Sequence, residues 1–141
     1  MRKVVSILGV ILLLGSMSYF FLFKKDSDRY MDEGIEYFSE NRYDEALHHF
    51  EIAEKLGNID ALKYSGTIYL ETNHPQKAIP KFEEYVSKIK NNNEELKFAL
   101  NDLGVAYFKI KDIPNAKKYW KKASNLGNEK SLNNLKELEK N

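Results

Sequence analysis

The stretch LNDLGVAYFKIKDIPNAKKYWKKA, residues 100–123, carries a spacing of small and aromatic residues that recurs twice upstream. In this stretch Tyr107 follows Gly104 by three positions, and Trp120 follows Ala116 by four. The earlier copies place the same residue types at Gly34, Tyr37, Ala46 and Phe50, and at Gly66, Tyr69, Ala78 and Phe82. In every copy the glycine and the alanine are twelve residues apart, while the copies begin at positions 30, 62 and 100. Periods of this length are typical of helical repeat arrays.

Each copy has the spacing of two antiparallel helices. Tyr30, Gly34 and Tyr37 lie at positions i, i+4 and i+7, which share one face of a helix, and the second half repeats this with Ala46 and Phe50. Glycine inside a helix costs roughly 1 kcal/mol relative to alanine, so a glycine in all three copies indicates a close approach of helices. We expect each glycine to face an alanine of the partner helix, with axes about 8 Å apart and the aromatic residues filling the seam.

The pattern resembles the tetratricopeptide repeat, including its turn and helix start, NRYDEA, at residues 41–46. It also resembles the Sel-type variant, because LGNIDAL at 56–62 and LGN at 126–128 are similar to that family's turns between repeats. The proline that usually closes a tetratricopeptide repeat is replaced here by Asn58, Lys90 and Asn128. The resemblance implies an all-α fold, a right-handed superhelical solenoid of three helix-turn-helix repeats with a C-terminal capping helix. The uncharged N-terminal run adds one transmembrane helix in front of it.

The predicted organisation follows the chain in order. It consists of a signal anchor over 1–23, a linker over 24–27, repeats over 28–58, 59–93 and 94–128, and a capping helix over 129–141. The expected helices cover residues 28–40, 43–56, 59–71, 75–90, 94–109, 113–126 and 129–139. Asp112 and Asn128 are expected N-caps, Gly57 a helix stop, and Pro80 the cause of a bend or a late helix start.

Residues 4–23 contain no charged side chain and are bounded by basic residues on both sides. At 1.5 Å per residue a helix of this length spans about 30 Å, the thickness of the hydrocarbon core of a bilayer. We therefore predict a single-pass membrane anchor. A signal peptide cleaved after Ser18 is the alternative, although it would leave an apolar mature terminus in water.

The orientation of this span depends on a small charge difference. Basic residues flank both ends, which leaves the positive-inside rule nearly balanced. Residues 26–58 carry ten acidic and three basic side chains, a net charge of −7, which an anionic cytoplasmic leaflet would repel. We therefore expect the repeat domain on the extracytoplasmic side.

Composition excludes several functional classes. The 141 residues have a net charge of +1, which argues against nucleic-acid binding, and no cysteine, which excludes disulfides and thiol chemistry. No phosphate-binding loop, nucleophile elbow or zinc-protease motif is present. We predict a non-enzyme with no catalytic residue, no metal, no cofactor and no small-molecule substrate.

The resemblance also implies a binding surface, because the first helices of such repeats line a concave groove. The predicted groove residues are Met31, Ile35 and Phe38, then Lys63, Thr67 and Leu70, then Asn101, Val105 and Phe108. Phe38, Leu70 and Phe108 are alternatively explained by packing between neighbouring repeats. Some tetratricopeptide co-chaperones hold a C-terminal carboxylate with Lys, Asn and Arg, but the matching positions here are Met31, Ile35, Tyr64, Phe98 and Asp102. That mode of binding is therefore not expected.

These observations favour a membrane-anchored scaffold that binds a protein, peptide or partner helix in the groove. One alternative is a structural component of an envelope assembly that self-associates, with the basic stripe Lys117, Lys118, Lys121 and Lys122 meeting the acidic first repeat of another copy as a weak homo-oligomer. Another is a secreted repeat protein released by signal-peptide cleavage.

Overall fold

The computed structural model describes residue 22 and residues 24–140, and within them it contains seven helices and no strand. The first helix, α1, covers residues 24–39. The remaining helices are α2 (Tyr43–Lys55), α3 (Asp60–Glu71), α4 (Pro75–Lys88), α5 (Asn93–Lys109), α6 (Ile113–Asn125) and α7 (Glu129–Lys140). From α2 to α7, each helix begins and ends within two residues of the bounds that the sequence predicts.

The N-terminal part of α1 differs from the prediction. Residues 24–27, expected to be a linker, are helical. No glycine or proline interrupts the backbone there, Asp26 lies 3.6 Å from Arg29 in an i,i+3 ion pair, and Ser27 is buried. The predicted span over 4–23 lies outside the described residues except for Leu22. None of the helices that the structure describes is long and apolar enough to cross a bilayer.

The chain divides into two compact units at Asn58. In the described part of the first unit, α1 and α2 contact each other through Gly34 and Phe50. In the second unit each helix packs against the next one in the chain, from α3 to α7, while α3 and α5 contact each other only slightly, as do α5 and α7. Because α5 packs only lightly on α3 and on α7, there is space for a cleft on either side of α5.

The glycine of each repeat lies against an aromatic ring of the following helix. A Cβ atom would lie 2.6 Å from the Phe50 ring if built on Gly34, 2.8 Å from the Phe82 ring if built on Gly66, and closer still to the Trp120 ring if built on Gly104. The predicted close approach is therefore confirmed. The predicted partner was wrong, because the glycine accommodates the flat face of a ring rather than an alanine.

The alanines pack beside these rings and complete the core. Ala46, Ala78 and Ala116 have no exposed surface, and Phe50 and Phe82 are equally buried. In the second unit, Ala78 and Phe82 form one apolar cluster with Leu103 and Ala106. A second cluster consists of Leu62, Tyr85, Ile89 and Ala99.

Helices α1, α2, α3, α5 and α6 end in the same backbone turn. The second residue after each helix has a positive φ, namely 60° at Asn41, 91° at Gly57, 59° at Asn73, 63° at Lys111 and 86° at Gly127. In every case the next backbone N–H donates to a carbonyl five residues earlier, as Arg42 does to Tyr37 over 2.9 Å. This is the Schellman motif, which reverses the chain for the next antiparallel helix.

Two predicted N-caps are confirmed. The Asp112 carboxylate accepts a hydrogen bond from the Asn115 backbone N–H over 3.1 Å, and the Asn128 amide oxygen accepts one from the Ser131 N–H over 2.9 Å. Asn92 caps α5 in the same way, bonding the Glu95 N–H over 3.3 Å. Helix α4 begins at Pro75 and continues through Pro80, so the expected late start is wrong.

The ring contact at Gly104 can be tested by Gly104→Ala. The added methyl group must displace the Trp120 ring, and overpacking of this kind typically costs about 1–3 kcal/mol. The gain in helix propensity is only about 1 kcal/mol, so we expect a net loss in the free energy of unfolding, measured by urea titration with far-UV circular dichroism.

The matched control is the same change in a Trp120→Leu background, where the flat ring is gone. The loss caused by Gly104→Ala should be smaller there, giving a coupling energy in a double-mutant cycle. An equal loss in both backgrounds would show that the ring is not the cause.

Candidate functional site

A ridge on α5 lies between two clefts of the second unit. Its residues Phe98, Asp102 and Val105 lie at positions i, i+4 and i+7; Phe98 is 56% exposed, whereas Asp102 and Val105 are half-buried. At about 100° per residue they lie about 100–160° around the helix from Gly104, which faces the core. The burial of Gly104 against Trp120 therefore turns these three side chains outward.

On one side of the ridge lies a cleft of about 340 Å³ between α5 and α7. Its lining residues are Val105, Phe108, Trp120, Asn134, Glu137 and Leu138. Phe108 is 44% exposed, and its ring centroid lies 5.5 Å from that of Trp120. This α5–α7 cleft is mostly apolar, and Glu137, which pairs with Lys140 over 2.7 Å, lines it as the single carboxylate.

On the other side lies a smaller cleft of about 120 Å³ between α3 and α5. Lys63 contributes from α3, Tyr85 from α4, and Glu95, Phe98, Ala99 and Asp102 from α5. The Lys63 ammonium lies 3.9 Å from Asp60. Within residues 24–140 neither Glu95 nor Asp102 forms an ion pair. The α3–α5 cleft therefore combines an exposed aromatic ring with two carboxylates that form no ion pair within the described chain.

Tyr85 joins the two helices that border this cleft. Its hydroxyl lies 3.2 Å from Asp60 Oδ1 on α3 and 3.1 Å from Glu95 Oε2 on α5, so it donates its proton to one of the two at a time. Burial, followed by the negative charge of Asp60 and the hydrogen bond to Glu95, raises the pKa of Tyr85 above its usual value. The neutral phenol therefore stays a donor and holds Glu95 at the cleft.

Asp102 has a less favourable environment than an ordinary surface carboxylate. Burial raises the pKa of Asp102, while the hydrogen bond from the Asn101 side chain over 3.1 Å and the charge of Lys130 act in the opposite direction. The ionised form is thus under-solvated, with a neutral amide as its hydrogen-bond donor. A cation placed in the cleft would stabilise it.

The predicted groove residues of the second unit separate into two groups. Lys63, Val105 and Phe108 line the clefts. Leu70 instead packs on the core cluster around Phe82, and Thr67 is half-buried and donates to the Lys63 carbonyl over 3.0 Å.

Asn101 is 8% exposed and has a structural role in the second unit. Its amide oxygen accepts a hydrogen bond from Ser131 of α7 over 2.8 Å, and its backbone carbonyl accepts one from Trp120 Nε1 over 3.2 Å. It therefore leaves little surface for a ligand. The explanation by internal packing fits Asn101 and Leu70 better than a binding role does.

The predicted groove residues of the first unit differ in how far they are buried. Met31 is buried at 7% exposure, and Ile35 and Phe38 are half-buried. The Phe38 ring lies 5.9 Å from the Tyr43 ring. Of the three, Ile35 and Phe38 offer side-chain surface to a ligand.

The predicted groove residues omit Phe98, Glu95, Asp102 and Leu138, which line the clefts. The sequence prediction included Phe98 and Asp102 only as positions that do not suit a bound carboxylate. It placed the groove face of α5 at Asn101, Val105 and Phe108, and the first and last of these lie only about 40–60° around the helix from Gly104. Measuring the angle from the buried glycine would have found Phe98 and Asp102. Leu138 could not be found this way, because its contribution depends on where α7 returns against α5.

A further charged surface lies on α6. Lys117, Lys118, Lys121 and Lys122 are all exposed, and Lys118 and Lys122 lie over the Tyr119 ring at 5.2 and 5.7 Å. Across the part of the chain that the structure describes, no group of three His, Asp or Glu residues is placed to hold a metal ion.

No family model and no curated protein matches the sequence. Solved structures do match the fold. The N-terminal domain of stress-induced protein-1 (STI-1) from C. elegans matches with a TM-score of 0.76 at 18% identity, over 83% of this chain and 97% of that one. The first TPR of Spaghetti (RPAP3) bound to the HSP90 peptide SRMEEVD gives 0.73 at 18%, over 82% and 92% of the two chains.

A third structure extends the comparison to a complex. The TPR2AB domain of yeast Sti1 with pHSP90 gives a TM-score of 0.71 at 22% identity, over 81% of this chain and 46% of that one. All three identities are low, so these similarities establish the fold alone. The chain has a tetratricopeptide-repeat fold, and the predicted helical repeat architecture is confirmed.

The environment of Asp102 leads to a pH-dependent prediction. Because the pKa of Asp102 is raised in the folded protein, the folded protein binds a proton there more tightly than the unfolded chain does. The stability gained from this proton is complete at low pH and is lost as the pH rises through the pKa of the folded state. Asp102→Asn removes this pH-dependent loss of stability, and the new amide oxygen still accepts the hydrogen bond from the Asn101 side chain. We expect the variant to be at least as stable as the wild type at pH 7 and equal to it below about pH 4.

The measurement is urea unfolding at several pH values, with Glu139→Gln as a matched control on the exposed surface of α7. That change also removes one carboxylate, so it corrects for the altered net charge. A clear loss of stability in Asp102→Asn at pH 7 would contradict the prediction.

Proposed function

We propose that this protein is a scaffold that binds a peptide or partner helix on the exposed face of α5. One observation carries the proposal: Phe98 and Phe108 are 56% and 44% exposed on that helix, beside two clefts. Exposed apolar surface bordering a concave site marks an interaction surface rather than a core. Its binding residues are Lys63, Val105 and Phe108 from the sequence prediction, together with Phe98, Asp102 and Leu138.

The similar structures support this role. Spaghetti and yeast Sti1 have the same fold. The first TPR of Spaghetti is bound to an HSP90 peptide, and the TPR2AB domain of yeast Sti1 is in a complex with pHSP90. The proposal assigns no catalytic residue and no cofactor, because the sequence contains no motif for either. Met31, Ile35 and Phe38 of the first unit stay a prediction, which the assay below also tests through Ile35→Glu.

The proposed site can be tested by photo-crosslinking in cells. A photoreactive amino acid in place of Phe108 should capture a defined partner from the α5–α7 cleft, and the same amino acid in place of the exposed Lys118 should not. Val105→Glu should reduce capture at least tenfold, since a carboxylate in an apolar cleft opposes burial of the partner.

Far-UV circular dichroism of Val105→Glu establishes that the helices remain intact. If capture from position 108 survives both Val105→Glu and Ile35→Glu, the binding site lies elsewhere and the proposal is wrong.

We further propose that residues 4–23 anchor the protein in a membrane as a single span, with the repeats on the extracytoplasmic side. The support is the run of twenty uncharged residues between basic residues and the net charge of −7 over residues 26–58. The anchor would limit the scaffold to partners at the membrane surface.

The absence of cysteine permits a direct test of this orientation. Asn91→Cys places one thiol at an exposed turn between α4 and α5. A membrane-impermeant maleimide added to intact cells should label it to the same extent as after lysis. Labelling only after lysis would place the repeats on the cytoplasmic side. Recovery of the unlabelled chain in the soluble fraction would contradict the proposed membrane anchor.

A further inference from the structure

The charge of the α3–α5 cleft restricts what the proposed site binds. Glu95 accepts a hydrogen bond from Tyr85, and Asp102 accepts one from Asn101, so both carboxylates are held by neutral donors. The Lys63 ammonium at this cleft lies near a third carboxylate, that of Asp60. The charge of Lys130 acts on Asp102 from beyond ion-pair distance, and two carboxylates against one lining lysine leave the cleft net negative. A carboxylate ligand would therefore be repelled here, whereas a cation would find two acceptors.

The aromatic ring at this cleft also favours a cation. Phe98 is 56% exposed, and the Lys97 ammonium already lies 5.2 Å from its ring centroid. Lys97 is itself paired with Glu94 over 2.7 Å, so this cation is neutralised within α5. A ligand guanidinium or ammonium would contact the free side of the ring as well as the carboxylates.

The α5–α7 cleft offers a different environment about 12 Å away. Its residues on α5 are Val105 and Phe108, about eight positions beyond the centre of the α3–α5 cleft, and a helix rises 1.5 Å per residue. An extended peptide rises about 3.3 Å per residue and points alternate side chains the same way. Two of its side chains four positions apart would therefore reach both clefts.

From this geometry we infer the chemistry of the partner, an inference that rests on the proposed function. The partner segment is extended and carries an apolar side chain that enters the α5–α7 cleft. Four positions away it carries a lysine or arginine that bonds Glu95 and Asp102. This preference is opposite in charge to the peptide SRMEEVD, which Spaghetti binds.

The test uses the full-length protein in a mild non-ionic detergent. The probes are three pools of acetylated, amidated, fluorescein-labelled octapeptides with leucine, phenylalanine or tryptophan at one fixed position. Four positions from this apolar residue, the first pool carries arginine, the second glutamine and the third glutamate. In each pool the apolar residue precedes this position in some peptides and follows it in others, and every other position is uncharged. Fluorescence anisotropy measures the affinity of each pool, and SRMEEVD serves as an acidic reference.

We expect the arginine pool to bind about tenfold more tightly than the glutamine pool, and the glutamate pool and SRMEEVD to bind most weakly. The advantage of arginine should decrease as salt concentration increases. Asp102→Asn and Glu95→Gln should each reduce it severalfold. Glu95 is exposed, so its substitution does not depend on how the fold tolerates a change at Asp102.

Two controls separate this inference from the proposed function. Val105→Glu should weaken all three pools, and Glu139→Gln should change none of them. Equal binding of the three pools, with loss in Val105→Glu, would overturn the charge preference and leave the peptide site standing. An arginine preference that survives both carboxylate substitutions would also overturn it. If no pool binds, both the inference and the proposed peptide site are wrong.

Discussion

The contact of a helix glycine with the flat face of an aromatic ring determines how each repeat is assembled. Gly34, Gly66 and Gly104 leave no room for even a methyl group beside Phe50, Phe82 and Trp120. Protein interiors are packed as densely as organic crystals, so a contact this close fixes the rotation of both helices. The alanines beside the rings are fully buried for the same reason.

This fixed rotation is what produces the candidate site. Because Gly104 must face Trp120, the opposite side of α5 carries Phe98, which is exposed, and Asp102 and Val105, which are half-buried. Apolar residues that would be core on a differently rotated helix become a ridge between two clefts. The binding surface is thus a consequence of the packing on the other side of the same helix.

A second set of interactions positions α7. The Asn128 side chain caps α7 and also donates to the Lys97 carbonyl of α5 over 3.2 Å, and Ser131 donates to Asn101. These groups are buried, and buried polar groups are costly to leave unpaired, so the bonds fix the position of α7 along α5. That position brings Leu138 to the α5–α7 cleft and completes its wall.

The sequence by itself determined the repeat, the helices and the close approach of helices at each glycine. Those features depend on local spacing, on capping residues such as Asp112 and on turns such as that at Gly57, all of which act within a few positions of the chain. The partner of the glycine and the composition of the clefts were decided only by the tertiary structure. Asn101 became buried and Phe98 exposed because Trp120 and Ser131, far along the chain, fill one side of α5 and leave the other open.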